Sequence, residues 1–153
     1  MDQTNCYCIF RIDDQLFGVA VSRVEKIIRA AAVIPLPDGP DTIIGLLNVE
    51  GRILPVVNIR KKWHLPERGM EVDDRIIIFK AVSLVSFIVN GVIGVVQFDH
   101  RKFHQAEEIH HGLGHYIEGV GKFDNNSVII VDMARFFNDQ EFSYMEKITA
   151  DHE

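Results

Sequence analysis

Short apolar runs rich in Val, Ile and Phe alternate with Gly, Pro, Asn and Asp, with a break about every ten residues. The pattern predicts strands over Tyr7–Ile12, Leu16–Val21, Val24–Arg29, Ile43–Val49, Ile53–Val57, Arg75–Ala81, Leu84–Val89, Val92–Phe98, Tyr116–Phe123 and Val128–Val131. Asp13-Asp14 closes the first hairpin. Many short, evenly spaced strands indicate a sandwich or barrel rather than a parallel α/β sheet. Ala81 to Phe98 contain no charge, a length that could just span a membrane. Ser83, Ser86, Asn90, Gly91, Gly94 and Gln97 interrupt it, and Asn90-Gly91 is a turn or bend signal. Two buried strands explain the stretch better than a membrane helix.

Only short helices fit between the strands. Ile59–His64 follows Asn58 and Met133–Asn138 follows Asp132. Asn and Asp are good N-caps, because the side-chain oxygen accepts from an exposed backbone N–H. Phe142, Met145 and Ile148 recur at helical spacing and predict a docked helix over Gln140–Ala150. A weak internal repeat is visible. Ile53 to Trp63 parallels Val128 to Phe137: an apolar strand, a capping Asn or Asp, then helical turns ending in aromatics. Each follows a glycine-containing approach, Gly45 to Gly51 and Gly119 to Gly121. Two similar lobes, each a small barrel of about five strands, use up the predicted strands.

Length and charge narrow the function. A chain of 153 residues forms one compact domain or two small intertwined lobes. The net charge of -6 argues against nucleic acid, whose binders present a basic surface. Cys6 and Cys8 form a lone C-x-C, read as idle thiols in a reducing compartment. Met1 to Asn5 lack a signal-peptide pattern, so a cytoplasmic location is expected.

Candidate chemistry is sparse. His100, His104, His110, His111 and His115 crowd one segment with Glu107 and Glu108. Those side chains could hold zinc or nickel, but Gly112 and Gly114 break any helix that would align them. A His-rich solvated loop is the plainer reading, so neither metal nor cofactor is expected. No serine stands in a G-x-S-x-G elbow, and neither Gly112-Leu113-Gly114 nor Gly119-Val120-Gly121 extends into a phosphate-binding motif. Without a nucleophile–base set, an enzyme is not expected. Arg60, Lys61 and Lys62 form a basic cluster, read as a solvated face, with an acidic partner as the alternative. A binding module that uses strand edges or an inter-lobe groove fits better than a catalyst.

From Leu16 to Ile27 the chain resembles the CheW-like family of chemotaxis coupling proteins, whose phrase there is "fG(i/v)-x-(i/v)-x-x-V-x-E-I". The resemblance strengthens at Ile34-Pro35-Leu36-Pro37. It is most specific from Ile44 to Arg60, which is similar to "G-x-x-N-x-R-G-x-x-x-P-V-x-D-L-R". Ile88 to Val92 and Tyr116 to Val120 fit two further phrases, so the resemblance covers 6–138, with 139–153 as a C-terminal helix and tail. It implies an all-β fold of two intertwined five-stranded SH3-like barrels with short helices and a C-terminal helix. It implies a non-catalytic cytoplasmic adaptor joining methyl-accepting chemoreceptors to the regulatory domain of a CheA-type histidine kinase, without nucleic-acid binding or membrane insertion. It also suggests that Asn90-Gly91 is a bend between consecutive strands, with the hairpin near Lys80–Ser83.

Carried over by position, Val24 matches a receptor-contact valine at the groove between lobes, and Ile76 and Ile77 match apolar positions on that groove. Barrel core is the competing reading for all three. Lys26, Ile27, Gly45, Asn48, Glu50 and Gly51 complete the partner-binding set that the resemblance implies. Two departures stand out. Lys26 occupies the family's glutamate position in "V-x-E-I", and Glu50 occupies the arginine position in "N-x-R-G". Both signs are exchanged. Asn58 and Asn90 stand where the family usually has Asp. The alternatives are an accessory module that binds receptors or another signalling complex without a kinase, and a metal-responsive barrel using the 100–115 histidines.

Overall fold

The computed structural model describes residues 6–81, 83–98, 103–105 and 116–151. Among them, twelve strands form two six-stranded sheets. In chain order these are β1 Cys6–Ile12, β2 Gln15–Ala20, β3 Val24–Arg29, β4 Ile34–Pro35, β5 Ile43–Val49 and β6 Arg52–Val57. Then follow β7 Arg75–Lys80, β8 Leu84–Val89, β9 Gly91–Gln97, β10 Phe103–Gln105, β11 Ile117–Phe123 and β12 Asn126–Val131. A 3₁₀ turn spans Val21–Arg23. Helix α1 covers Ile59–Lys62 and helix α2 covers Asp139–Asp151. The ten expected strands are present, so the mostly β, two-sheet architecture agrees with the sequence. The short strands β4 and β10 were not foreseen.

The repeat seen in sequence is a repeat of topology. One sheet runs β10-β11-β12-β2-β1-β9, and the other runs β4-β5-β6-β8-β7-β3. In both, the strand before the capping residue pairs antiparallel with its hairpin partner and parallel with a distant strand. β12 lies on β2 with Ile130 opposite Gly18, and β6 lies on β8 with Val56 opposite Ser86. The chain divides into two compact units, Met1–Val24 with Asn90–Phe137, and Glu25–Val89 with Asn138–Glu153. β3 and β9 make the exchange. β3 follows β2 in sequence but pairs in the sheet of β7, whereas β9 follows β8 and pairs with β1.

Each unit has its own core. Tyr7, Ile9, Phe98, Val128 and Ile130 are buried together in the first, where the Tyr7 and Phe98 rings lie 5.7 Å apart. Leu47, Val49, Leu54, Val56, Ile76 and Ile78 fill the second. Pro55 occupies an internal strand, where proline supplies no ladder donor. Its carbonyl accepts from the buried Ser86 hydroxyl at 2.9 Å, which satisfies both groups.

Both expected caps form. Asn58 accepts from the Lys61 N–H and starts α1, which ends at Lys62 rather than His64. Asp132 accepts from the Ala134 N–H, but the chain then makes a pair of turns, not the expected helix over Met133–Asn138. Asn58 bonds the N–H three residues on and Asp132 the N–H two residues on; Phe136 and Phe137 are buried, and Phe136 packs edge-on against Tyr116 at 5.4 Å. That packing fixes a tighter path than a regular helix would take. Asn90 is the single residue between β8 and β9. Its side-chain oxygen accepts from the Asp13 N–H, and its own N–H donates to the Arg11 carbonyl, so it buttresses the first hairpin. Lys80 pairs with Leu84, which puts the hairpin turn where the resemblance implied.

The C-terminal helix belongs to the second unit, with Met145 and Ile148 buried. Asn138 and Glu141 form a reciprocal capping box, each backbone N–H donating to the other's side chain. Glu141 also accepts from Lys62 at 2.7 Å, with both side chains less than one-fifth exposed. The Arg60–Lys62 cluster is therefore not simply a solvated face. Lys62 binds an acid of the same chain, and Arg60 donates to the Pro66 carbonyl.

Candidate partner-binding face

The β5–β6 hairpin closes through Glu50-Gly51, with Val49 opposite Arg52. Both turn residues have positive φ, 53° and 87°, as a two-residue type I′ turn demands. Asn48 stabilises the turn by accepting from the Gly51 N–H at 3.0 Å. Glycine costs nothing at Gly51, whereas Glu50 carries a Cβ in the left-handed region.

Strand β3 brings two charges to this tip. Lys26 Nζ lies 2.7 Å from Glu50 Oε1, and Arg52 donates to Glu25 at 2.8 Å. Successive residues of a strand point to opposite faces, so the two pairs leave β3 on opposite sides and converge on one hairpin. Bonding to Lys26 holds the Glu50 carboxyl below its ordinary range, and bonding to Arg52 does the same for Glu25. All four side chains are solvent-accessible, and Glu50 is the most exposed at 75%. Ile27, between these pairs and the end of β3, is 39% exposed.

The nine residues singled out in the sequence separate into a set at the hairpin tip, an interior set, and Val24, which belongs to neither. Lys26, Asn48, Glu50 and Gly51 meet at the hairpin tip, with Ile27 on the adjoining strand. Val24 is half-buried, and its N–H closes the 3₁₀ turn on the Val21 carbonyl. Gly45, Ile76 and Ile77 are interior. A Cβ on Gly45 would sit 2.2 Å from the Ile34 carbonyl oxygen, so this glycine permits β4 to approach β5. Ile76 and Ile77 are fully buried, paired with Ile88 and Phe87. Ile76 belongs to the second unit's core, and neither side chain presents surface to a partner in this conformation. Both lie in the interior, as an uninterrupted apolar run suggests for a strand buried on both faces.

Glu25 and Arg52 were not singled out. Their signal was available only as two opposite charges, Glu25 next to Lys26 and Arg52 two residues after Glu50. Exposed Ile93 and Val95 on the edge strand β9 were also missed. Cys6 and Cys8 are buried, and burial pushes the Cys8 thiol up, away from reactivity. No cluster of three or more His, Cys, Asp or Glu that could hold a metal occurs among the described residues. The 100–115 histidines lie outside the described residues, apart from the backbone of β10. No helix among the described residues is long and apolar enough to cross a membrane.

Comparison with known proteins gives the fold a family context. The CheW-like domain family model matches residues 7–141. The chain is 23% identical over 145 residues to a chemotaxis protein CheW of Treponema pallidum, covering 91% of this chain and 85% of that protein. It is 25% identical over 130 residues to the chemotaxis protein CheW of Thermotoga maritima, covering 85% of each. The crystal structure of the scaffolding protein TtCheW from Thermoanaerobacter tengcongensis superposes with a TM-score of 0.77 at 24% identity. That match covers 88% of this chain and 92% of the other.

Proposed function

Because the chain belongs to the CheW-like domain family, we propose that it is a non-catalytic chemotaxis adaptor coupling methyl-accepting chemoreceptors to a CheA-type histidine kinase in the cytoplasm. The observation that carries this reading is the extent of the family match, which runs through both units rather than one. Relatives matched over most of their length are chemotaxis CheW proteins, and a structural neighbour is a scaffolding protein. An exposed charged hairpin tip beside an exposed isoleucine suits a protein-recognition surface, where a polar rim borders an apolar contact.

Calorimetric titration of the chain with the regulatory domain of the histidine kinase from its own genome tests the proposal. Micromolar or tighter binding, together with binding to a receptor cytoplasmic tip, supports the adaptor. Retained receptor binding with no kinase binding favours the second reading, an accessory module. The exchanged signs at Lys26 and Glu50 are the observation that favours this alternative.

A further inference from the structure

Asn90 is followed by glycine, whereas every other asparagine of the chain precedes a residue with a side chain. It is half-buried and stands between β8 and β9, outside both strands. Its side-chain oxygen accepts from the Asp13 N–H, and its own N–H donates to the Arg11 carbonyl at 2.8 Å. Gly91 pairs with Arg11, and a Cβ built on Gly91 would lie 3.8 Å from Arg11 Nη2. The other terminal nitrogen of Arg11 donates to the Asp13 carbonyl at 2.9 Å. The guanidinium is thereby held beside the Asn90-Gly91 junction. All four residues belong to the first unit.

These are the parts of an intramolecular acyl transfer. The backbone nitrogen that follows an asparagine is tethered next to the side-chain amide carbon, and attack there closes a cyclic imide. Tethering gives the nitrogen an effective concentration that no free nucleophile reaches. A side chain on the following residue obstructs the approach, and glycine has none. Charge that builds on the Asn90 side-chain oxygen is met by a fixed donor, the Asp13 N–H. The attacking nitrogen must give up its proton, and a cation beside it favours the deprotonated form. Arg11 is that cation.

We propose that Asn90-Gly91 is a self-modifying site, promoted by the Asp13 N–H and the Arg11 guanidinium, at which ring closure and hydrolysis leave a carboxylate between β8 and β9. In the first step a bond forms from the Gly91 nitrogen to Asn90 Cγ and the Cγ–Nδ2 bond breaks. The side-chain amide nitrogen leaves as ammonia, carrying the Gly91 proton. In the second step a water oxygen adds to one imide carbonyl carbon, its bond to the ring nitrogen breaks, and a water proton passes to that nitrogen. Water is the co-reactant, and nothing is oxidised or reduced. Opening at the side-chain carbonyl gives aspartate, which keeps an acceptor for Asp13 and sets a negative charge beside Arg11. Opening at the backbone carbonyl gives isoaspartate, whose extra methylene lengthens the link at which the chain passes from the second unit into the first.

The test is incubation of the full chain at mildly alkaline pH, folded and in urea, followed by peptide mapping that separates amide, aspartate and isoaspartate. Cleavage after Lys80 and Arg101 releases a peptide in which Asn90 is the sole asparagine. In the folded chain Asn90 should convert about tenfold or more ahead of Asn126, which is exposed at the start of β12. It should also convert about threefold faster folded than in urea, where the Asp13 donor and Arg11 are no longer held in place. Gly91→Ala should slow conversion by about tenfold or more, and its Cβ meets only ordinary contact, so the fold is kept. Arg11→Gln should slow it by about threefold, and Arg11→Lys should restore the rate with the charge. Thermal unfolding checks that each variant is folded. Conversion in the folded chain that only equals that in urea, or falls below it, overturns the proposal. So does a folded Arg11→Gln variant that converts as fast as the unsubstituted chain. If a variant does not fold, the comparison of folded with urea-unfolded chain decides alone.

Discussion

Asn58 and Asp132 hold equivalent posts in the two sheets. Each ends a strand that is paired antiparallel on one side and parallel on the other, and each side chain accepts from a backbone N–H in the turn beyond it. Their surroundings differ. The Asn58 amide also donates to Glu67 at 2.9 Å, whereas Asp132 lies 3.4 Å from Arg135. Alanine at either position should cost about 1 kcal/mol, the usual worth of a cap. Asn58→Asp should retain the cap. Urea unfolding of the three variants checks this, and a loss below a few tenths for both alanines would show that the caps are incidental.

The second unit has a tighter polar anchor ahead of β7. Asp74 is 2% exposed and accepts from both terminal nitrogens of Arg68, at 2.9 and 3.1 Å, and from the Glu71 N–H at 2.9 Å. Removing one partner of a buried pair is costly because the other loses its compensation. Asp74→Ala should destabilise by about 2–4 kcal/mol, discounted from the fully buried range because Arg68 reaches water. Asp74→Asn, which keeps an acceptor for Glu71, should cost less. Equal losses in a denaturant series would locate the effect in packing rather than charge.

How far the sequence carried depends on the kind of signal. Ile76 to Phe79 are buried without interruption, and an apolar run shows such a strand plainly. The same run does not say which of its residues meet a partner, since Ile76 and Ile77 face opposite sides of the strand and both are fully buried. β4 is two residues long and includes Pro35, so it has no period to read. Asp132 announces a cap but not whether a helix or a turn comes after it; burial of Phe136 and Phe137 decides that. The Lys26–Glu50 contact links residues far apart in sequence. Residue pattern alone does not bring them together, and the family phrases suggested it only as an exchange of signs.

Gly45 separates structural from partner roles. An added Cβ would lie 2.2 Å from the Ile34 carbonyl oxygen and 2.8 Å from Val33 Cγ1, both closer than real contacts allow. Gly45→Ala should push β4 off β5 and cost about 1–3 kcal/mol, as overpacking does. Gly69→Ala is the control, because nothing lies within 4 Å of its added Cβ. It should be neutral or slightly stabilising through the unfolded chain. Thermal unfolding of the two variants decides the matter. If Gly45→Ala melts with the unsubstituted chain yet binds partners poorly, Gly45 acts at the interface instead.

Glu118 gives the first unit a pH dependence of its own. Burial raises its carboxyl above the ordinary range, the Asp132 charge adds to the rise, and Arg135 and Arg23 partly offset it. A carboxyl whose folded pKa is raised binds its proton more readily when folded than when unfolded. Stability therefore falls as pH rises from the ordinary glutamate range through the raised value, and the full cost is present above it. Glu25 and Glu50 act in the opposite direction, since their lowered values favour folding above the ordinary range and lose that contribution on acidification. Both are solvent-accessible, so their effect should be the weaker one. Glu118→Gln should raise the melting temperature at neutral pH and have little effect below the ordinary glutamate range. The difference should open across the window between. Melting curves from acid to neutral pH measure that difference directly, and a constant offset would show that Glu118 acts through shape rather than charge.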